Sequence, residues 1–192
     1  MYRIIRAKQG DTTNNLRMTA ATLKTSNMKN LFRITFLLFN LLAFSQNLEK
    51  RKAYTLEIAA DETQQYQTEI EEIPYFVKEK ILQLFCGESV FVECEVQGDS
   101  ISTMKVVAQN IHPEKTIVIA FTQDSEDRKS ISTMLQVKNP FDRMLTYEAM
   151  MFTPLGQTWQ PTSILPISNN LENFEMWPHA IVTLVLQNWE FK

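Results

Sequence analysis

The sequence predicts an all-β fold, an antiparallel β-sandwich, placed after an N-terminal signal helix. Three observations predict it. Short runs alternate apolar and polar residues with a period of two. Turn-forming residues punctuate these runs every eight to twelve residues. Ahead of them stands a basic head, a short apolar body and a small-residue end.

The leader comes first. Residues 28–46 read M-K-N-L-F-R-I-T-F-L-L-F-N-L-L-A-F-S-Q. Lys29 and Arg33 supply the positive head, and residues 34–44 are apolar except for Thr35 and Asn40. Ala43 and Ser45 are small residues at the two positions signal peptidase reads. The apolar run is shorter than the roughly 20 residues a membrane-spanning helix needs. The ending A-F-S-Q resembles the leaders of exported proteins from Bacteroidota-type Gram-negative bacteria. That resemblance covers only these residues and implies export to the periplasm or outside the cell. With no cysteine at the cleavage point, lipoprotein processing is not expected. Residues 1–27 are polar and show no period. They read as a non-native or disordered extension, with translation starting at Met28. The mature protein is then an N-terminal strand and extended segment, 46–78, and a sandwich core, 79–192.

Removing the leader changes the charge. The full chain has 19 basic and 22 acidic residues, net −3. Residues 1–45 hold seven bases and one acid, which leaves 12 bases and 21 acids, net −9, in 46–192. So acidic a domain is not expected to bind the nucleic-acid backbone, which needs clustered Lys and Arg, or an anionic membrane surface. No integral membrane span is expected in the mature chain. At 147 residues, the mature part suffices for one domain with a real core.

The elements follow in order. Tyr54, Leu56 and Ile58 alternate with Thr55 and Glu57 in a first strand. Residues 61–73 favour helix by their Gln and Glu but also fit a strand, and are read as extended. Residues 79–85 form the next strand. Val90, Val92, Cys94 and Val96 then alternate with Ser89, Phe91, Glu93 and Glu95, and Gly98-Asp99 turns the chain back into 101–107 as a hairpin. Residues 116–122 are apolar on both parities, as in a central, doubly covered strand; 123–129 is a polar loop. Ile131, Thr133, Leu135 and Val137 form one face, and Leu145, Tyr147, Ala149 and Met151 another. Residues 131–138 and 144–152 are expected to pair as a second hairpin around Asn139-Pro140-Phe141-Asp142. Pro154, Gly156, Pro161 and Pro166 mark an irregular passage. The apolar run 180–190 closes the chain.

Strand number and length over 79–192 resemble immunoglobulin-like modules. The resemblance implies a two-sheet antiparallel topology; the Cys…Trp…Cys core of the true family is absent.

Sites for chemistry are scarce. Cys86 and Cys94 would survive into an oxidising compartment. On one strand, eight residues would hold them roughly 26 Å apart, far beyond the roughly 5.5 Å a disulfide needs. A tight turn at Gly87-Glu88 would set Cys86 across from Ser89. Both are read as free thiols, with Cys94 buried. The two histidines, His112 and His179, stand beside prolines, and no nucleophile motif flanks either cysteine. Cys and His do not cluster as zinc ligands. Asp124-Ser125-Glu126-Asp127 lacks the glycine and distal glutamate of a calcium loop. Glu69, Glu71, Glu72 and Glu79 supply carboxylates without a defined pair. No cofactor, metal or catalytic residue is assigned.

Aromatics supply the binding candidates. Trp159, Trp177 and Phe152 lie in the aromatic-rich last third, two of them in irregular segments where burial is less forced. The sequence thus points to an exported, non-catalytic binding module for a protein or glycan. Two alternatives are a small hydrolase using a cysteine or glutamate with a histidine, and a structural envelope subunit. An unpaired hydrophobic edge at 180–190 would favour the latter.

Overall fold

The computed structural model describes residues 50–192. The expected extension 1–27, the expected signal peptide 28–45 and the start of the expected 46–78 segment lie outside the described residues. Among those described, no helix is long and apolar enough to cross a membrane.

The described chain is all-β. Its strands are β1 (Tyr54–Ala59), β2 (Gln65–Ile70), β3 (Phe76–Lys78), β4 (Ile81–Phe85), β5 (Ser89–Gln97), β6 (Ser100–Val107), β7 (Thr116–Asp124), β8 (Ser132–Lys138), β9 (Leu145–Phe152), β10 (Trp159–Thr162), β11 (Glu172–Trp177) and β12 (Thr183–Phe191). Two five-stranded antiparallel sheets run in the orders β10-β9-β12-β4-β3 and β11-β8-β7-β5-β6. β1 and β2 form a separate two-stranded sheet. Alternate residues of the two large sheets meet in one core: Leu82, Leu84, Leu184 and Leu186 from one, Val92, Ile117, Ile119, Phe121 and Leu135 from the other, all fully buried. This is the arrangement of a β-sandwich, and truncating any one such leucine to alanine costs about 2–5 kcal/mol.

The first hairpin forms as its alternation predicts. β5 pairs with β6 from Phe91↔Val107 to Gln97↔Ser100, with a bulge after Glu95. Gly98 makes the turn at φ 58°, a left-handed conformation suited to glycine. β7 is central, between β5 and β8. Its outer residues Val118, Ala120 and Thr122 are half-buried rather than covered.

Three expectations are corrected. Residues 131–138 and 144–152 do not pair; β8 and β9 lie in opposite sheets. The cause is Asn139, which is fully buried. Its Nδ2 donates to the carbonyls of Arg143, Ile167 and Ser168, and its Oδ1 accepts from the Phe141 amide. Those bonds bend the chain into an arch between sheets. They also tie it to a second arch, through which β10 passes to β11. The turn at Gly87-Glu88 likewise crosses between sheets, so Cys86 does not face Ser89 across a hairpin. Its amide instead bonds Val182, and Gly87 bonds Phe121. Finally, 180–190 is no edge. β12 lies between β9 and β4, with Thr183 opposite both Phe152 and Phe85. Its Leu184 and Leu186 are fully buried. A bulge after Gln187, where Asn188 takes φ 55°, keeps Trp189 inside.

The β1–β2 hairpin packs Leu56, Ile58 and Ile70 into the same core. The Gln123 side-chain amide clasps it, accepting from the Ala59 amide and donating to the Ala59 carbonyl, both at 2.9 Å. The side chain thereby substitutes for a strand neighbour at the end of β1.

Candidate binding surface

Trp159 and Phe152 come together. β10 pairs with β9 so that Trp159 lies opposite Phe152, their ring centroids 5.6 Å apart and tilted by 52°. Trp159 is 46% exposed; Phe152 is half-buried, opposite Thr183. Trp177 takes a different role. It ends β11, is 9% exposed, and its indole Nε1 donates to Thr162 Oγ1 at 2.9 Å. It thus bridges the edges of the two sheets.

A second link closes the same side. Glu175 Oε1 accepts from the Leu165 amide at 2.8 Å and from Asn173 Nδ2. The segment leaving β10 is thereby held beside β11, and its Ile167 bonds back to Leu145 of β9. Along this side six large apolar side chains are exposed among polar ones such as Gln160, Ser163 and Glu172. Leu155, Trp159, Leu165, Leu171, Phe174 and Met176 are 46–65% exposed. They make up six of the ten exposed large hydrophobic residues in the described chain. From Met144 to Phe191 there are four glutamates and neither Lys nor Arg.

Sequence reasoning missed β10 and β11 because their pattern is mixed. On β11 the apolar Phe174 and Met176 face out while Glu175 faces in, the inverse of the usual alternation. It also missed Arg51, which is 1% exposed. Arg51 Nε lies 2.8 Å from Glu88 Oε1, and its terminal nitrogens reach the carbonyls of Pro74 and Gln83. The guanidinium packs on the Tyr75 and Phe85 rings, and Tyr54 Oη donates to the same Glu88 oxygen. Burial, then the neighbouring Glu88 charge, pushes the Tyr54 hydroxyl pKa up. A cleft of about 550 Å³ adjoins this cluster, and another of about 610 Å³ lies between the β3–β4 turn and the β12 bulge.

The other candidates stand apart. Cys86 and Cys94 are buried free thiols, and burial pushes each pKa up to about 12. His112 is exposed, 3.9 Å from the exposed Glu114, and His179 is exposed with its carbonyl bonded by Thr133. Asp127 is occupied in capping the following turn through Lys129 and Ser130, and Asp124 accepts from the Glu126 amide. Glu69 accepts from Thr55, and Glu72 lies 4.0 Å from Lys50. Among the described residues, no three Cys, His, Asp or Glu converge as metal ligands. No family model, curated protein or solved structure matches the chain.

Proposed function

We propose that the chain is an exported, non-catalytic binding module that engages a protein partner through the side formed by β10 and β11. The clustering of six exposed apolar side chains there is the observation that carries this reading. Scattered surface hydrophobes are ordinary, whereas a cluster on one side marks a contact surface. Leucine and methionine, four of the six in that cluster, suit a protein partner better than a glycan, for which Trp159, Phe174 and the half-buried Phe152 supply stacking rings. A cysteine hydrolase draws no support from thiols held protonated at neutral pH, since the thiolate is the nucleophile. The immunoglobulin-like reading of the topology is part of this proposal. It is supported by two antiparallel sheets and by arches that pass from one sheet to the other.

Photo-crosslinking in cells tests the surface. A crosslinking amino acid at Leu165 or Phe174 is expected to trap one discrete partner band, and one at Val77 or Ile111 none. Equal trapping at both pairs of positions, or none at either, overturns the reading. Export rests on the leader at 28–45. Sequencing the N-terminus of protein from the periplasm or medium is expected to give a chain beginning at Gln46; a cytoplasmic chain that retains the leader refutes it.

A further inference from the structure

We propose that Met176 is a reversible oxidation site, and that its conversion to the sulfoxide switches off the contact surface formed by β10 and β11. This rests on the reading of that side as a contact surface and adds how it is regulated.

Exposure and position single out Met176 among the sulfur-bearing side chains of the described residues. Met104 is buried, and Met134, Met150 and Met151 are half-buried. Met144 is 37% exposed and stands just before β9, outside the cluster. Met176 is 65% exposed on the outer face of β11. Phe174, 51% exposed, is its neighbour two residues back on that face. Met134 of β8 lies directly opposite Met176 across the strand pair. Met176 thus joins the exposed apolar cluster to a second, more sheltered sulfur. The cysteines do not compete for oxidant. Both are buried, and burial pushes each thiol pKa up to about 12, so the reactive thiolate is scarce at neutral pH.

The reaction needs a peroxide as its only co-reactant. A lone pair of the thioether sulfur attacks one peroxide oxygen. The O–O bond breaks, an S–O bond forms, and the second oxygen leaves as water with both peroxide protons. Sulfur gives up two electrons and the peroxide takes them. An apolar side chain becomes polar and chiral. At an outward position the new oxygen stands in solvent, so the strand is spared. When a partner covers Met176, that oxygen must be stripped of water, and a polar group buried without a hydrogen bond opposes the contact. At Met104 the same reaction would put the oxygen in the core. Position therefore separates a surface switch from a lesion, and methionine sulfoxide reductases restore the thioether.

The test treats the purified full chain, carrying a crosslinking amino acid at Leu165, with hydrogen peroxide. Catalase then removes the peroxide before the chain meets untreated cell extract, so the partner is never oxidised. Peptide mass mapping is expected to show Met176 gaining one oxygen before Met144, with Met104 and both cysteines unmodified and far-UV circular dichroism unchanged. The trapped partner band is expected to fall about tenfold or more. Its loss should follow the oxidised fraction of Met176 as the peroxide dose rises, and both sulfoxide reductases together should restore it. Met144→Leu should lose the band on oxidation as the parent chain does. Met176→Leu should give the same band before and after peroxide. Oxidation of Met144 ahead of Met176 overturns the proposal, as does a band that survives full oxidation of Met176 or one lost equally in Met176→Leu. A band that forms at Leu165 but ignores oxidation leaves the contact surface standing and removes the switch alone. No band from the untreated chain sinks both.

Discussion

Arg51 Nε lies 2.8 Å from Glu88 Oε1 with both side chains buried, at 1% and 8% exposure. Glu88 also accepts from the Phe85 amide at the crossing between sheets, so the pair locks the chain before β1 to the turn after β4. Removing one partner strands a buried charge. Arg51→Met or Glu88→Gln is expected to cost about 3–5 kcal/mol in urea unfolding. The Arg51→Met/Glu88→Leu double variant should lose far less than the sum. Additive losses would mean the pair is not coupled.

Asn139 should be as sensitive, through neutral hydrogen bonds. Asn139→Ala strips the Arg143 carbonyl of its donor, takes one of two donors from the carbonyls of Ile167 and Ser168 and frees the Phe141 amide, an expected loss of about 1–3 kcal/mol. Asn139→Asp should be worse, because a carboxylate offers those carbonyls only further acceptors. Denaturant midpoints that leave Asp equal to wild type would disprove this account.

The thiols link stability to alkaline pH. Cys86 and Cys94 are raised from an ordinary 9.0 to about 12 by burial, so the unfolded chain releases their protons first. Their contribution is intact below about pH 9 and is lost as pH rises toward 12. Tyr54 and Tyr147, also pushed up by burial, act in the same direction. Chemical unfolding at pH 7, 9 and 10.5 should show falling stability, and iodoacetamide at pH 8 should label neither thiol until the protein is denatured. Rapid labelling of the native protein would rule this out.

The tryptophans should separate optically. Trp159 is 46% exposed, Trp177 and Trp189 are 9% and 4%. Acrylamide is expected to quench one accessible component, and Trp159→Phe should remove it while changing stability by no more than about 1 kcal/mol. A persisting accessible component would place another indole at the surface.

Much of this was legible in single strands, less in how they assemble. Val90, Val92 and Cys94 are buried as their alternation requires, and the Gly98 turn returns the chain as its sequence implies. Trp159 and Phe152 could be singled out from residue type alone, and the structure brings them into contact. Trp177 could not be told from Trp159, because only the crossing of Thr162 near its indole decides that it is buried. The arch at Asn139 reads like a hairpin turn, since Asn-Pro suits both. What separates them is where the amide finds its carbonyls, and two of these belong to residues nearly thirty positions away. Arg51 was hidden for the same reason: its partner Glu88 lies 37 residues on.

The place of β12 has a kinetic consequence. Thr183 Oγ1 bonds the Leu84 carbonyl across 99 residues of chain, and β4 and β9 touch neither each other nor a complete sheet until β12 enters between them. Such closure collects its loop entropy before its reward, so folding should be slow and late-committing, with amide protection in β4, β9 and β12 arriving as one step. Until that step β4 and β9 lack their shared neighbour, so a chain stopped short of β12 should stay open to proteolysis along both strands.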